Sequence, residues 1–347
     1  MSLNHSELID LKDLSLNKLI EVVSSLDESP FRAKQIFSWL YRPGIRKFEQ
    51  MTDISKQFRA KLDNTAYFSQ LALHKKEIST DGTIKYAFML SDDHIVESVL
   101  IPEGDRNTLC VSSQVGCAMG CKFCLTGTMG LKRNLTPAEI VNQVYYVAEE
   151  LLAANSGKVT NIVFMGMGEP LANFNHLMTA LSILSDNLGL NFSDRKMTVS
   201  TCGIVPKIIE LGQKCSVNMA ISLHAADDRT RNSIMPVNLT YSLDSLITAC
   251  REFPLSKRKP IMFEYILLKD VNDSAQHAKE LIKLLHGIPC KINLLPYNSC
   301  PALPFQKPLP KTIETFHQIL RKAGHTVIIR DSRGADISAA CGQLAQK

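Results

Sequence analysis

The stretch "GCAMGCKFC", Gly116 to Cys124, places Cys117, Cys121 and Cys124 inside nine residues, about a third of the way along the chain. Spacings of four and three let three thiolates point at one centre from a single loop. Structural zinc takes four protein ligands, so three grouped thiolates with no fourth beside them fit it less well. A 4Fe-4S cluster is ordinarily held by four cysteines as well; three leave one iron open, which is useful where a substrate binds there. On spacing alone both metals stand. Another cysteine, Cys341, lies far along the sequence with no thiol near it.

The chain has 347 residues, 45% hydrophobic and 21% charged, enough to bury a core as one large α/β domain with an appendage or as two ordinary domains. No basic start leads into an apolar stretch, and no segment approaches the roughly 20 uninterrupted apolar residues that span a bilayer. The expectation is a cytoplasmic protein with no membrane partner. Ten cysteines in that reducing compartment make a poor disulfide framework, so grouped ones point to metal or redox use. A net charge of +5 permits a nucleic-acid partner without demanding one. The charge is uneven: from Phe31 to Lys61 eight Arg and Lys face two acids, with Phe31, Phe37, Trp39, Tyr41, Phe48 and Phe58 interleaved. That mixture suits phosphate contact with base stacking on RNA, and equally the buried and solvated faces of small helices.

Up to about residue 90 the pattern is mostly helical, with Ser29-Pro30 as cap and first turn of "FRAKQIFSWLY". "TIKYAFML" and "HIVESVLIP" then read as a hairpin leading into the main body. From residue 107 onward the strands "TLCVSSQ", "VTNIVFMG", "KMTVST", "VNMAISLH", "IMFEYILL" and "CKINLLP" alternate with helices near 136–154, 174–187, 204–212, 242–253 and 274–286. A last helix near 311–322 precedes the terminal strand "TVIIR". Six strand-helix units argue for a parallel sheet with helices outside, too few for a closed eight-unit barrel. The expected fold is α/β: a partial (β/α)6 barrel over residues 93–347 with a small helical accessory domain and hairpin linker over residues 1–92.

A CxxxCxxC loop after the first strand of such a barrel resembles the radical SAM superfamily. The resemblance implies that Cys117, Cys121 and Cys124 hold one 4Fe-4S cluster whose open iron binds S-adenosylmethionine. Reduction then yields methionine and a 5′-deoxyadenosyl radical. "FMGMGEP" closes the second strand, where glycines let the backbone approach a ligand and Glu169 suits the methionine ammonium. "VSTCG", "ISLHA" and "LLPYN" end later strands on the rim where barrels do chemistry.

"VESVLIPEGDRNTLCVSSQVGCAMGCKFCLTGTMGLKRNL" and "RDSRGADISAACGQLA" narrow the resemblance to the RlmN/Cfr family of RNA adenine methyltransferases, closest to the RlmN branch. Carried across by motif, Gly168, Glu169, Ser200, Ser222, Leu223, His224 and Asn298 line the S-adenosylmethionine pocket. Glu97 is the proton acceptor, Cys341 the methyl-carrying cysteine and Cys110 the thiol that releases product as a Cys110–Cys341 disulfide. The family uses two S-adenosylmethionine molecules per turnover, because C2 and C8 of adenine are poor nucleophiles and a thiolate must be methylated first. Implied partners are 23S rRNA at the peptidyl-transferase centre, tRNA beside the anticodon, an external electron donor and a disulfide reductant. C8 methylation of the same rRNA adenosine is the nearest rival; a non-catalytic, metal-stabilised RNA-binding module is the reading from another class. Lys132 and Arg133 are further phosphate-contact candidates. Cys202, Cys215, Cys250, Cys290 and Cys300 are taken as structural.

Overall fold

The computed structural model describes residues 8–254 and 260–345. Its front is built from β1 (Ile9–Asp10), α1 (Leu16–Ser25), α2 (Pro30–Leu40), α3 (Lys56–Thr65) and β2 (Ala66–Tyr67), with β1 and β2 paired in parallel. Ser15 and Ser55 cap α1 and α3 by accepting from Lys18 N and Phe58 N. Pro30 opens α2 as expected, but the Ser29 side chain makes no capping bond. Phe37, Tyr41, Phe48 and Phe58 turn inward, with Phe37 edge-on to Tyr41 at 5.2 Å and Phe48 to Phe68 at 5.0 Å. Those rings are core, so base stacking by them is ruled out. Phe31 is exposed, and Trp39 is half-buried beneath the Arg42 guanidinium at 4.2 Å.

Strands β3 (Ala72–Ile78), β4 (Ile84–Met89), β5 (Ile95–Glu103) and β6 (Arg106–Cys110) follow as an antiparallel run. A small hairpin, β7 (Gln114–Cys117) and β8 (Gly130–Asn134), encloses the one-turn α4 (Leu125–Thr128). Then come α5 (Pro137–Ala153), β9 (Asn161–Phe164), α6 (Phe174–Ser185), β10 (Met197–Thr201), α7 (Val205–Lys214) and β11 (Asn218–Ser222). After β11 run α8 (Asp228–Ile234), α9 (Leu243–Glu252), β12 (Ile261–Leu267), α10 (Ala275–Leu284), β13 (Cys290–Pro296), α11 (Pro310–Lys322) and β14 (Thr326–Ile329).

These strands make one ten-stranded sheet, ordered β14-β13-β12-β11-β10-β9-β6-β5-β4-β3. From β6 to β14 all pairs are parallel, giving the expected open barrel. Every residue of β10 is buried, as a strand covered on both faces should be. Two features depart from the sequence reading. The stretch "ALHKKEI", inside the part expected to be mostly helical, is β3, an edge strand whose lysines and exposure hide any period-two pattern. The hairpin therefore extends the barrel's own sheet. "TLCVSSQ" is also not one strand: it breaks after Cys110, where the buried Gln143 amide of α5 accepts from Ser112 N (2.8 Å) and Ser98 Oγ (2.6 Å) and donates to Ser112 O (3.0 Å). This break turns the chain into the thiol-bearing hairpin.

The last described residues fold back over β3 to β5. Asp81 Oδ2 accepts from Gly334 N at 2.9 Å, Asp336 from Ser79 Oγ at 2.6 Å and Thr80 N at 3.1 Å, and Lys85 Nζ donates to Ile337 O at 2.6 Å. Leu125 N binds Gly342 O at 2.8 Å and Thr126 Oγ1 binds Leu344 O at 2.6 Å. Cys341 is thereby held over the thiol loop.

Candidate active site

A cavity opens at the carboxyl ends of the parallel strands. Cys117, Cys121, Cys124 and Cys341 line it, joined by Gly168, Glu169, Ser200, Ser222 and His224. Leu223 and Asn298 are not among its lining. The Leu223 side chain is core, while its peptide N–H donates to Glu264 O; Asn298 lies beyond the end of β13, bonded to Ser332.

The three loop thiols are free and converge on one cavity, the donor set a metal cluster needs. Burial pushes Cys117 up to about 12 and raises Cys121 and Cys124 as well, so each thiol must lose its proton to a bound metal. Three protein thiolates and an open side fit a cluster with one unfilled iron site. Gly168 adopts φ +98°, and a Cβ there would lie 2.5 Å from Gln114 Cβ, so the backbone can pass only as glycine. Gln114 Oε1 in turn accepts from Glu169 N at 2.8 Å.

The Glu169 carboxylate is buried and bound by Leu171 N (3.0 Å) and Cys202 N (2.8 Å); burial raises its pKa. His224 is fixed in the left-handed region at φ +61°. Its Nδ1 accepts from Ile266 N at 3.0 Å, and burial followed by the Arg231 charge drops its pKa to about 3, so the ring is neutral with any N–H on Nε2.

Cys341 is exposed at the cavity rim, yet the protein packed about its thiol, then the Glu264 carboxylate, raise it to about 11. Cys110, buried at the end of β6, has its thiol raised by burial and then by Cys341, which puts the two sulfurs within electrostatic reach. Glu97 lies on β5 behind the tail: Oε2 accepts from Ala345 N at 2.9 Å and Oε1 is 3.5 Å from Lys85 Nζ. Its pKa is raised, burial outweighing Lys85.

Two residues escape the sequence reading, Glu264 and Arg231, and a third, Cys202, stands in it only at the pocket edge. Cys202, taken as structural, lines the cavity against Glu169. Glu264, buried in β12, also lines it; Asn293 Nδ2 donates to one of its oxygens at 2.9 Å, and burial lifts it to about 7. A charge inside the apolar run "IMFEYILL" was the available signal. Arg231, wholly buried beneath the cavity, sits in a charged stretch and gave none. Arg133, offered as a phosphate contact, is instead bound by Asp92 (2.6 Å) and Glu139 (2.7 Å); Lys132 stays exposed.

An open parallel barrel with three thiols from the loop after its first strand defines a radical SAM enzyme, and residues 111–285 match the radical SAM superfamily. That superfamily implies S-adenosylmethionine and a 4Fe-4S cluster. Residues 9–68 match the ribosomal RNA large subunit methyltransferase N-terminal domain. The chain is 54% identical to the dual-specificity RNA methyltransferase RlmN of Desulfotalea psychrophila over 98% of its own length and 95% of that protein's. It is 52% identical to the protein of the same name from Geotalea uraniireducens, with 97% of each covered. A radical SAM methyltransferase from Sphaerobacter thermophilus superposes with a TM-score of 0.91 at 44% identity, covering 96% of this chain and 98% of that one. The chain belongs to the RlmN family. No described helix is long and apolar enough to cross a membrane.

Proposed function

We propose that this protein methylates C2 of adenosine in 23S rRNA at the peptidyl-transferase centre and in tRNA beside the anticodon, with Cys341 as methyl carrier and two S-adenosylmethionine molecules per turnover. The observation that carries this reading is the tail, pinned so that Cys341 shares one cavity with the three loop thiols. The relatives' name, dual-specificity RNA methyltransferase, supports RNA as the substrate. The likeness to RlmN proteins over nearly the whole chain supports C2 over C8.

Cys341 attacks the methyl of one S-adenosylmethionine, its thiol proton leaving, and becomes an S-methyl thioether. The cluster, when bound, supplies the one-electron reduction that makes a second S-adenosylmethionine a source of a hydrogen-abstracting radical. Hydrogen loss from the S-methyl leaves a methylene on Cys341 that bonds to adenine, joining enzyme and RNA. Glu97, whose buried carboxylate is already biased toward holding a proton, accepts the ring proton, and the one electron given up would pass to the oxidised cluster as its acceptor. The Cys110 thiolate then attacks the Cys341 sulfur, leaving a disulfide. The departing methylene carbon keeps the bonding pair as an enamine of the ring and takes up a proton to give methyladenosine. An external electron donor and a reductant for that disulfide complete the cycle, in the cytoplasm where both RNAs are found. Division of labour follows the chain: the front, to about residue 92, grips RNA through exposed Lys34, Arg42, Lys47, Lys56 and Lys61, and the remainder does chemistry.

Cys341→Ala should abolish turnover, and Cys110→Ala should accumulate a protein–RNA adduct on a denaturing gel. Absence of any adduct would remove Cys110 from product release. Mass spectrometry of nucleosides from rRNA modified in a strain lacking its own enzyme reads the methyl position; a C8 product would overturn the regiochemistry.

A further inference from the structure

Arg231 on α8 is completely buried, and its donors meet only neutral acceptors. Nε donates to Leu223 O at 3.0 Å, Nη1 to Asn238 Oδ1 at 2.7 Å, and Nη2 to Cys202 O at 2.7 Å and Ser222 O at 3.2 Å. Among the described residues no carboxylate pairs with it. Asp228 is reached only through Asn238, whose Nδ2 donates to Asp228 Oδ1 at 2.7 Å. A guanidinium does not shed its proton in a protein, and an unpaired buried cation is strongly destabilising. Something anionic must therefore complete this site. Arg231 Nη2 holds the peptide carbonyls of two residues, Cys202 and Ser222, that line the same cavity as Cys121. The same short helix moors the thiol loop, for Lys122 N donates to Ile234 O at 2.9 Å.

We propose that Arg231 is the internal counter-charge of the iron–sulfur cluster, a positioning residue that stabilises the cluster's reduced state from behind Cys121. The inference rests on the cluster reading and goes beyond it. Three thiolates give a 4Fe-4S core a net negative charge, and reduction adds one more; a fixed cation in a low-dielectric wall favours the more negative state. Because the fork of Arg231 binds the carbonyls of Cys202, Ser222 and Leu223, the same residue fixes the strand ends that line the cavity. A lysine keeps the charge without the fork, so charge and scaffolding can be separated.

The test is a redox titration, followed by electron paramagnetic resonance, on anaerobically reconstituted full-length protein without RNA. At the wild-type midpoint, Arg231→Met should lower the ratio of reduced to oxidised cluster about tenfold, whereas Arg231→Lys should stay within about threefold of wild type. Asp228→Asn, which removes the distant negative charge and keeps an acceptor oxygen, should raise the ratio by about two- to threefold. Unchanged ratios in both Arg231→Met and Asp228→Asn at full iron loading would overturn the inference while leaving the enzyme's function standing. If Arg231→Met takes up no iron, the direction of the Asp228→Asn shift decides. A wild type that binds no iron and sulfide overturns the cluster reading and this inference together.

Discussion

Glu264 sits at the centre of an apolar strand, its carboxyl facing the cavity with Asn293 as hydrogen-bond partner. Its folded pKa of about 7 lies above the ordinary carboxylate value because burial disfavours the anion. The folded state therefore holds this proton better than the unfolded chain, and the stability it contributes below the unfolded value is lost as pH rises through about 7. That loss is on the order of 3 kcal/mol. Glu264→Gln keeps an oxygen for Asn293, so the thermal midpoint of the cluster-free protein should rise at pH 8 and stay unchanged at pH 4; equal shifts at both would remove ionisation as the cause. Gly168 makes a second residue-scale case. Gly168→Ala should destabilise by roughly 2–4 kcal/mol in urea unfolding, because strain at positive φ adds to a collision with Gln114.

Elements differ in how openly the sequence declares them. The parallel strands and α5 are plain: "MTVST" is rich in β-branched residues that favour a strand, and Thr136, Pro137 and Glu139 form a capping box with proline in the first turn. β3 hides because an edge strand is under no pressure to alternate, and the β7–β8 hairpin because its register follows from the turn at Cys110. The tail has no periodicity of its own, and its path is set by Asp81, Lys85 and Asp336 contacts. An Asp81→Ala, Asp336→Ala double variant should speed amide exchange over residues 334–345 about a hundredfold, given roughly 1 kcal/mol for each of the three bonds lost. Methyl transfer to Cys341 should slow while the barrel's exchange stays as it was; unaltered exchange in the tail would mean that these contacts do not hold it.

At the scale of the whole molecule, two surfaces divide the work proposed for it. The front presents exposed bases over a core of inward-facing aromatics, and the barrel mouth presents thiols and carboxylates. Reversing Lys34, Arg42 and Lys47 to Glu should weaken RNA binding at least tenfold and flatten its salt dependence, since each lost phosphate contact removes about one released counterion. S-methylation of Cys341, read by peptide mass, should proceed at the wild-type rate because that half-reaction needs no RNA. A matching loss of methylation would show the two surfaces to be coupled.

The sequence by itself determined the class of fold, the thiol triad and part of the cavity lining, because strand period, cysteine spacing and glycine placement are local requirements of backbone and ligand chemistry. Only the tertiary structure decided where charge is buried. Glu264 and Cys202 owe their roles to partners about thirty residues away, Arg231 owes its to carbonyls on three separate segments, and the direction in which Phe37 or Phe58 points follows from the packing of the front helices. Burial depends on which surfaces meet, and a linear pattern records that only where one face of a single element is involved.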